Sequence, residues 1–189
     1  MAQSAPSAAS PATRKWLRIL PAVLVAIAVA VIVWLIVRGD DNSGKTASGP
    51  PPASAASAST LRGLSGQLGH DVYWAGNRSR FTYELTEVNG NTFIRYLPSG
   101  VSVGDPRPNY LTVGTYPRRN SYALLKRQAR QPGNGSLGVA HNGLVVWSKG
   151  RPQSVYLAYP GSNVQVEVYD PSATRARRLA TSGVVRPIR

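Results

Sequence analysis

The chain has no cysteine, one methionine, two phenylalanines and two histidines, and its 22 Lys+Arg face only 8 Asp+Glu. Without cysteine there is no disulfide, no thiolate metal site, no cysteine nucleophile and no acylated cysteine to act as a lipid anchor. Histidines and carboxylates are the usual general acids, bases and hard-metal ligands, and here they are scarce. The glycines form neither GxGxxG nor GxxxxGK[ST], and there is no Gly-x-Ser-x-Gly elbow. We therefore expect no catalytic residue, no cofactor and no metal site. His70 with Asp71, and His141 before Asn142-Gly143, read as turn or strand-end residues. Glu84 and Glu87 fall on opposite faces of one strand and cannot pair as glycosidase carboxylates.

Long hydrophobic runs are absent too, with one exception. Ile19 to Val37 reads ILPAVLVAIAVAVIVWLIV, 19 residues without a charge. As a helix it would rise roughly 28 Å, against a hydrocarbon core of about 30 Å. Pro21 falls in the first turn, where a missing N–H does little harm. Trp16 and Trp34 fall near the two ends, where indole rings favour the interface. Arg14, Lys15 and Arg18 precede the run, whereas Arg38 is followed by Asp40 and Asp41, so the N-terminus is expected in the cytoplasm. A cleaved signal peptide would need a small-x-small site close behind, and Ala53-Ser54-Ala55 is too distant. The expected layout is a cytoplasmic tail over 1–15, a transmembrane helix over 16–38, a Gly/Ser/Ala/Pro-rich linker over 39–60 and an extracytoplasmic domain over 61–189. The expected location is a single-pass position in the cell membrane, with the bilayer contacted through 19–37.

Residues 61–189 match themselves at an offset of 73. Leu64, Val72, Trp74, Arg78, Tyr83, Tyr96 and Pro98 meet Leu137, Val145, Trp147, Arg151, Tyr156, Tyr169 and Pro171. Each copy would carry a Trp strand, a basic turn (Gly76-Asn77-Arg78 or Lys149-Gly150-Arg151), a hairpin and a helix. Asn89-Gly90 between alternating residues is a strong hairpin signal. A short helix is expected at Leu61, Leu64 and Leu68. Another should run from an Asn120 cap to Arg130, with Tyr122, Leu125 and Ala129 inward. A third should follow an Asp170 cap, with Ala173, Ala176, Leu179 and Ala180 inward. The fold class is α+β: antiparallel strands with helices packed on one face, in two pseudo-repeats offset by 73 residues.

The stretches GHDVYWAG, TYELTEV, RYLPSGVSVGDPRPNYLTVGTYP and SVYLAYPGSNVQVEVYDP resemble the small outer α+β domain of uncharacterised single-pass membrane-anchored proteins of actinobacteria. The resemblance covers most of residues 61–189 and the anchor layout. It implies a bacterial envelope location and carries no activity, ligand or site residue.

Charge is the feature that suggests a partner. Residues 61–189 hold 17 Lys+Arg against 6 Asp+Glu, a net of +11. Such a field attracts polyanions. Outside a bacterial membrane these are anionic lipid head groups and cell-wall polymers; the anchor argues against nucleic acid. Lys126, Arg127, Arg130, Arg175, Arg177 and Arg178 are the candidate anion-binding residues, on two helices expected to share one side of the sheet. The leading expectation is a non-enzymatic envelope binding or interaction domain. The alternatives are an accessory subunit docking onto a membrane protein and, behind it, an envelope hydrolase.

Overall fold

The structure is a computed structural model that describes residues 53–189. The expected tail, the membrane segment and most of the linker lie outside the described residues. Among those described, no helix is long and apolar enough to cross a membrane.

The fold is α+β, with a large antiparallel sheet and three helices. The strands are β1 (Ser54–Ala56), β2 (Tyr73–Trp74), β3 (Phe81–Val88), β4 (Asn91–Pro98), β5 (Thr112–Pro117), β6 (Asn134–Val139), β7 (Gly143–Ser148), β8 (Arg151–Ala158), β9 (Val164–Tyr169) and β10 (Arg186–Pro187). The helices are α1 (Ala58–Leu68), α2 (Ser121–Ala129) and α3 (Ala173–Thr181). Eight strands form one sheet in the order β1-β3-β4-β5-β9-β8-β7-β6; β2 and β10 pair separately.

Local chemistry explains the turns. Asn89 and Gly90 have φ of 49° and 76°, the left-handed pair that a two-residue hairpin demands. They set the β3–β4 register, Val88 opposite Asn91. His141 and Asn142 take the same left-handed region in the three-residue turn between β6 and β7, with φ of 58° and 56°. Asn tolerates that region well because its side chain hydrogen-bonds locally.

Two core faces result. On the main face, cross-strand pairs place Ile94 beside Val113, Val113 beside Val168, and Val168 beside Val155. α1 covers this face through Leu61 and Leu64, and α3 through Ala176, Leu179 and Ala180. On the opposite face, α2 packs Leu125 against Val146 and Ala158, flanked by Tyr122 and Ala129. Val145 belongs to the main core and Val146 to the second, as neighbours on one strand must. The expectation of helices on one face is thereby corrected: α2 and α3 sandwich the same strands from opposite sides. The reason is that β7 and β8 are apolar on both faces, so each needs its own cover.

Three further differences have plain causes. Residues 54–60, assigned to the linker by composition, belong to the folded domain. β1 pairs with β3, and the Ser57 hydroxyl caps α1 by accepting from the Thr60 amide at 3.0 Å. Ladder bonds come from the backbone, which Ala and Ser supply as well as any residue. α3 is capped by Ser172 and not Asp170, whose Oδ1 instead accepts from the Ser172 amide at 2.8 Å. Asn120 precedes α2 with φ of 58° and makes no side-chain cap.

The 73-residue offset does not carry over to sheet positions. Trp74 lies in the two-stranded sheet with β10, whereas Trp147 lies in β7 of the large sheet. Tyr83 faces Tyr96 within the main core, whereas Tyr156 faces Glu167 on the other side. Val155 and Leu157 take the main-core positions on β8, which turns Tyr156 to the second core on the opposite face. The sheet has a different regularity: the meanders β3-β4-β5 and β9-β8-β7 flank the central β5–β9 pair.

Candidate functional site

Register brings one set of strand ends together. Phe81 pairs with Pro98, Thr112 with Tyr169, Tyr169 with Ser154, and Asn134 with Ser148. The two basic turns noted in the sequence both fall at this end: Arg78 with Arg80 before β3, and Lys149 with Arg151 between β7 and β8. The Lys149 amide donates to the Gly133 carbonyl at 2.9 Å, which ties that turn to the connection after α2, where Arg130 stands. Arg175, in the first turn of α3, completes the group.

An open cleft of about 240 Å³ lies among Arg78, Phe81, Tyr96, Tyr110 and Arg175. Tyr96 is its fixed wall. The phenol accepts from the Ala75 amide at 2.7 Å and lies 3.2 Å from the Gly76 carbonyl, to which it donates. Burial pushes this phenol well above the ordinary tyrosine range, so it stays a neutral donor. The Arg78 guanidinium lies 5.6 Å from the Tyr96 ring centre, and Phe81 meets the same ring edge-on at 6.3 Å. The Arg78 amide donates to the Tyr83 hydroxyl at 2.8 Å, and that hydroxyl donates to Asn77 at 2.6 Å. Two core tyrosines therefore hold the basic turn in place.

The acids are committed elsewhere. Asp170, 1% exposed, accepts from Arg175 Nε at 2.6 Å. Glu84 is buried and accepts from Arg95 at 2.5 Å and from the Gly104 amide at 2.6 Å, which fastens the 99–111 loop over the sheet. Arg107 beside Asp105 holds that carboxyl well below the usual range. Glu167 is buried and accepts from Tyr116 at 2.5 Å. Only Asp71 and Glu87 of the domain's six carboxylates take none of these roles. Among the described residues three of the 17 basic residues are in ion pairs and 14 are in none.

The six residues singled out from sequence do not form one surface, because α2 and α3 lie on opposite faces. Lys126 and Arg127 on α2, and Arg130 just past its C-terminal end, are exposed and outside any ion pair among the described residues. On α3, Arg175 is tied to Asp170, Arg177 lies over the Trp147 ring at 5.4 Å, and Arg178 is exposed. Arg130 and Arg175 reach the strand end. Arg78, Arg80, Lys149 and Arg151 were missed as site residues; their position in two turns was visible, but their placement at the same sheet end depends on strand register.

His70 is half-buried, with Nδ1 3.1 Å from the Asp71 carbonyl, and His141 is exposed in its turn. Among the described residues no three His, Asp or Glu side chains gather to hold a metal. An aromatic cleft bordered by Arg78 and Arg175 thus lies at the sheet end that also carries Arg80, Arg130, Lys149 and Arg151. The chain matches no family model, no curated protein and no solved structure.

Proposed function

We propose that this is a membrane-anchored, non-enzymatic binding domain of the bacterial envelope, held outside the membrane, whose strand-end rim takes a phosphate-bearing polyanion. The observation that carries the reading is the placement of Arg78, Arg80, Arg130, Lys149, Arg151 and Arg175 along one end of the large sheet, where, among the described residues, only Arg175 is paired, to the buried Asp170. A wall polymer and an anionic lipid head group share that phosphate chemistry. The Arg fork suits phosphate because it offers paired donors in one plane. The anchor rests on the charge-free run at 19–37, and the resemblance to actinobacterial anchored proteins supports the same location.

Two results are expected. A reporter that works only outside the cytoplasm, fused after Arg189, should be active; activity from a cytoplasmic reporter alone would reverse the orientation. Full-length protein in neutral detergent should bind inorganic polyphosphate, and more weakly at 0.1 M salt than at 0.01 M, since the Debye length falls from about 30 Å to about 10 Å. Replacing Arg78, Lys149 and Arg151 by Gln should weaken this about tenfold or more, whereas Arg178→Gln alone should change it less than about twofold, in line with counterion release at each lost phosphate contact. Equal losses in both variants would reduce the rim to general charge. Vesicles of anionic lipid and isolated wall polymer, compared at equal phosphate, identify the source.

A further inference from the structure

The Arg78 side chain lines the cleft half-buried, yet among the described residues it is in no ion pair and no side-chain hydrogen bond. A guanidinium carries five N–H donors, and withdrawing a charged donor from water without an acceptor costs stability. Arg175 lines the same cleft and commits only its Nε, to Asp170 at 2.6 Å. That bond orients the side chain and leaves its terminal amino groups free among the described residues. Asp170 is itself fixed, since its other oxygen accepts from the Ser172 amide at 2.8 Å. Two guanidiniums with unused donors, one aimed by a buried acid, therefore border one opening.

The rest of the lining is mostly rings. Phe81 is 37% exposed and meets Tyr96 edge-on. The Tyr96 hydroxyl is taken up by the Ala75 amide and the Gly76 carbonyl, so Tyr96 offers only its ring. Tyr110 is held from behind. The Arg95 guanidinium lies 5.1 Å from its ring centre and donates to the carbonyls of Asp105 and Arg107 at 2.9 and 2.8 Å. Glu84 fastens the same loop through the Gly104 amide. The aromatic wall thus stands on contacts of its own.

We propose that this cleft takes one saturated ring that bears a phosphate, a sugar or cyclitol phosphate, with the ring against Phe81 and Tyr110 and the phosphate on Arg78 and Arg175. This rests on the phosphate reading above and narrows it to a ring phosphate. The cleft, at about 240 Å³, falls below the roughly 300–1,000 Å³ of sites for larger ligands, which leaves room for one ring. The C–H face of a saturated ring covers aromatic surface and removes it from water. Asn109 lines the cleft, exposed and without a side-chain hydrogen bond among the described residues, and so can serve ring hydroxyls. An acyclic phosphate meets the arginines but leaves the aromatic wall uncovered.

Full-length protein in neutral detergent should be titrated with simple probes and followed by saturation-transfer NMR. Glucose 1-phosphate should bind at least about fivefold more tightly than glycerol 1-phosphate, phenyl phosphate or glucose, the size of one good ring contact. Phe81→Ala should bring glucose 1-phosphate down to the level of glycerol 1-phosphate. Phe81→Trp keeps a ring and should keep the preference; circular dichroism checks the fold of both. Equal binding of glucose 1-phosphate and glycerol 1-phosphate by the unaltered protein overturns the proposal, and leaves the phosphate reading standing if polyphosphate still binds. Loss of polyphosphate binding as well removes both. Tighter binding of phenyl phosphate, or a preference that survives Phe81→Ala, also overturns it, since the ring is then of another kind or seated elsewhere. Vesicles with an inositol-headed phospholipid and wall-polymer fragments, each competed against glucose 1-phosphate, tell a lipid source from a wall source; competition by neither counts against the proposal.

Discussion

Taken above pH 10, the protein should unfold over a narrow pH range. Burial raises the phenol of Tyr73 to about 12 and pushes those of Tyr96, Tyr116 and Tyr156 well above the ordinary tyrosine range. For the last two the Glu167 carboxylate adds to the shift. In the unfolded chain all four titrate near the ordinary value of about 10. The folded values are raised, so the stability these groups contribute is complete below pH 10 and is lost as pH climbs towards the folded values. Between pH 10 and 12 the unfolded chain sheds protons that the native state must keep. Each such phenol costs the folded state about 1.4 kcal/mol per pH unit. Four together approach roughly 5 kcal/mol by pH 11, comparable with the whole stability of many domains, about 5–15 kcal/mol. Absorbance at 295 nm should therefore rise in a step that coincides with loss of far-ultraviolet circular dichroism. Smooth titration of all nine tyrosines around pH 10, with the fold retained, would show that these phenols are not held as described.

The two tryptophans matched by sequence should respond unequally to truncation. Trp74 is 6% exposed, belongs to the main core and meets Tyr83 edge-on at 6.0 Å. Trp74→Ala should cost about 3–5 kcal/mol, the range for large aromatic truncations in packed cores. Trp147 only flanks that core, lies across an edge glycine and has Arg177 above it. Trp147→Ala should cost less, about 1–2 kcal/mol, because part of the space is already open to water and the exposed share of the ring has little transfer energy to lose. Denaturant unfolding of the two variants reads the difference directly. Equal losses would mean that the 73-residue correspondence describes packing after all.

Much of the local structure was visible in the residues. The alternating stretch FTYELTEV forms β3, and Asn89-Gly90 turns as its chemistry requires. Val164, Val166 and Val168 share a core face, and Leu125 and Leu179 point inward from their helices. β6 was missed, because Asn-Gly-Ser-Leu-Gly-Val has neither strand propensity nor alternation of its own. It is a strand because β7 offers a ladder to pair with. β1 was lost to the linker for the same reason.

The candidate site divides in the same way. Its cations and both basic turns could be read one residue at a time, but not their meeting place. Composition, the apolar run and the 2.0 and 3.6 periodicities are properties of neighbours in the chain, and from them follow the charge balance, the expected anchor, the α+β class and most element faces. Register and sheet order depend on which distant strands share a ladder. Pairing of β5 with β9 put Arg78 and Arg175 at one end of the sheet. Packing of β7 and β8 between two helices put α2 and α3 on opposite faces. Those outcomes belong to tertiary structure, because a strand buried on both sides must be covered twice, and no local pattern says which helix goes to which side.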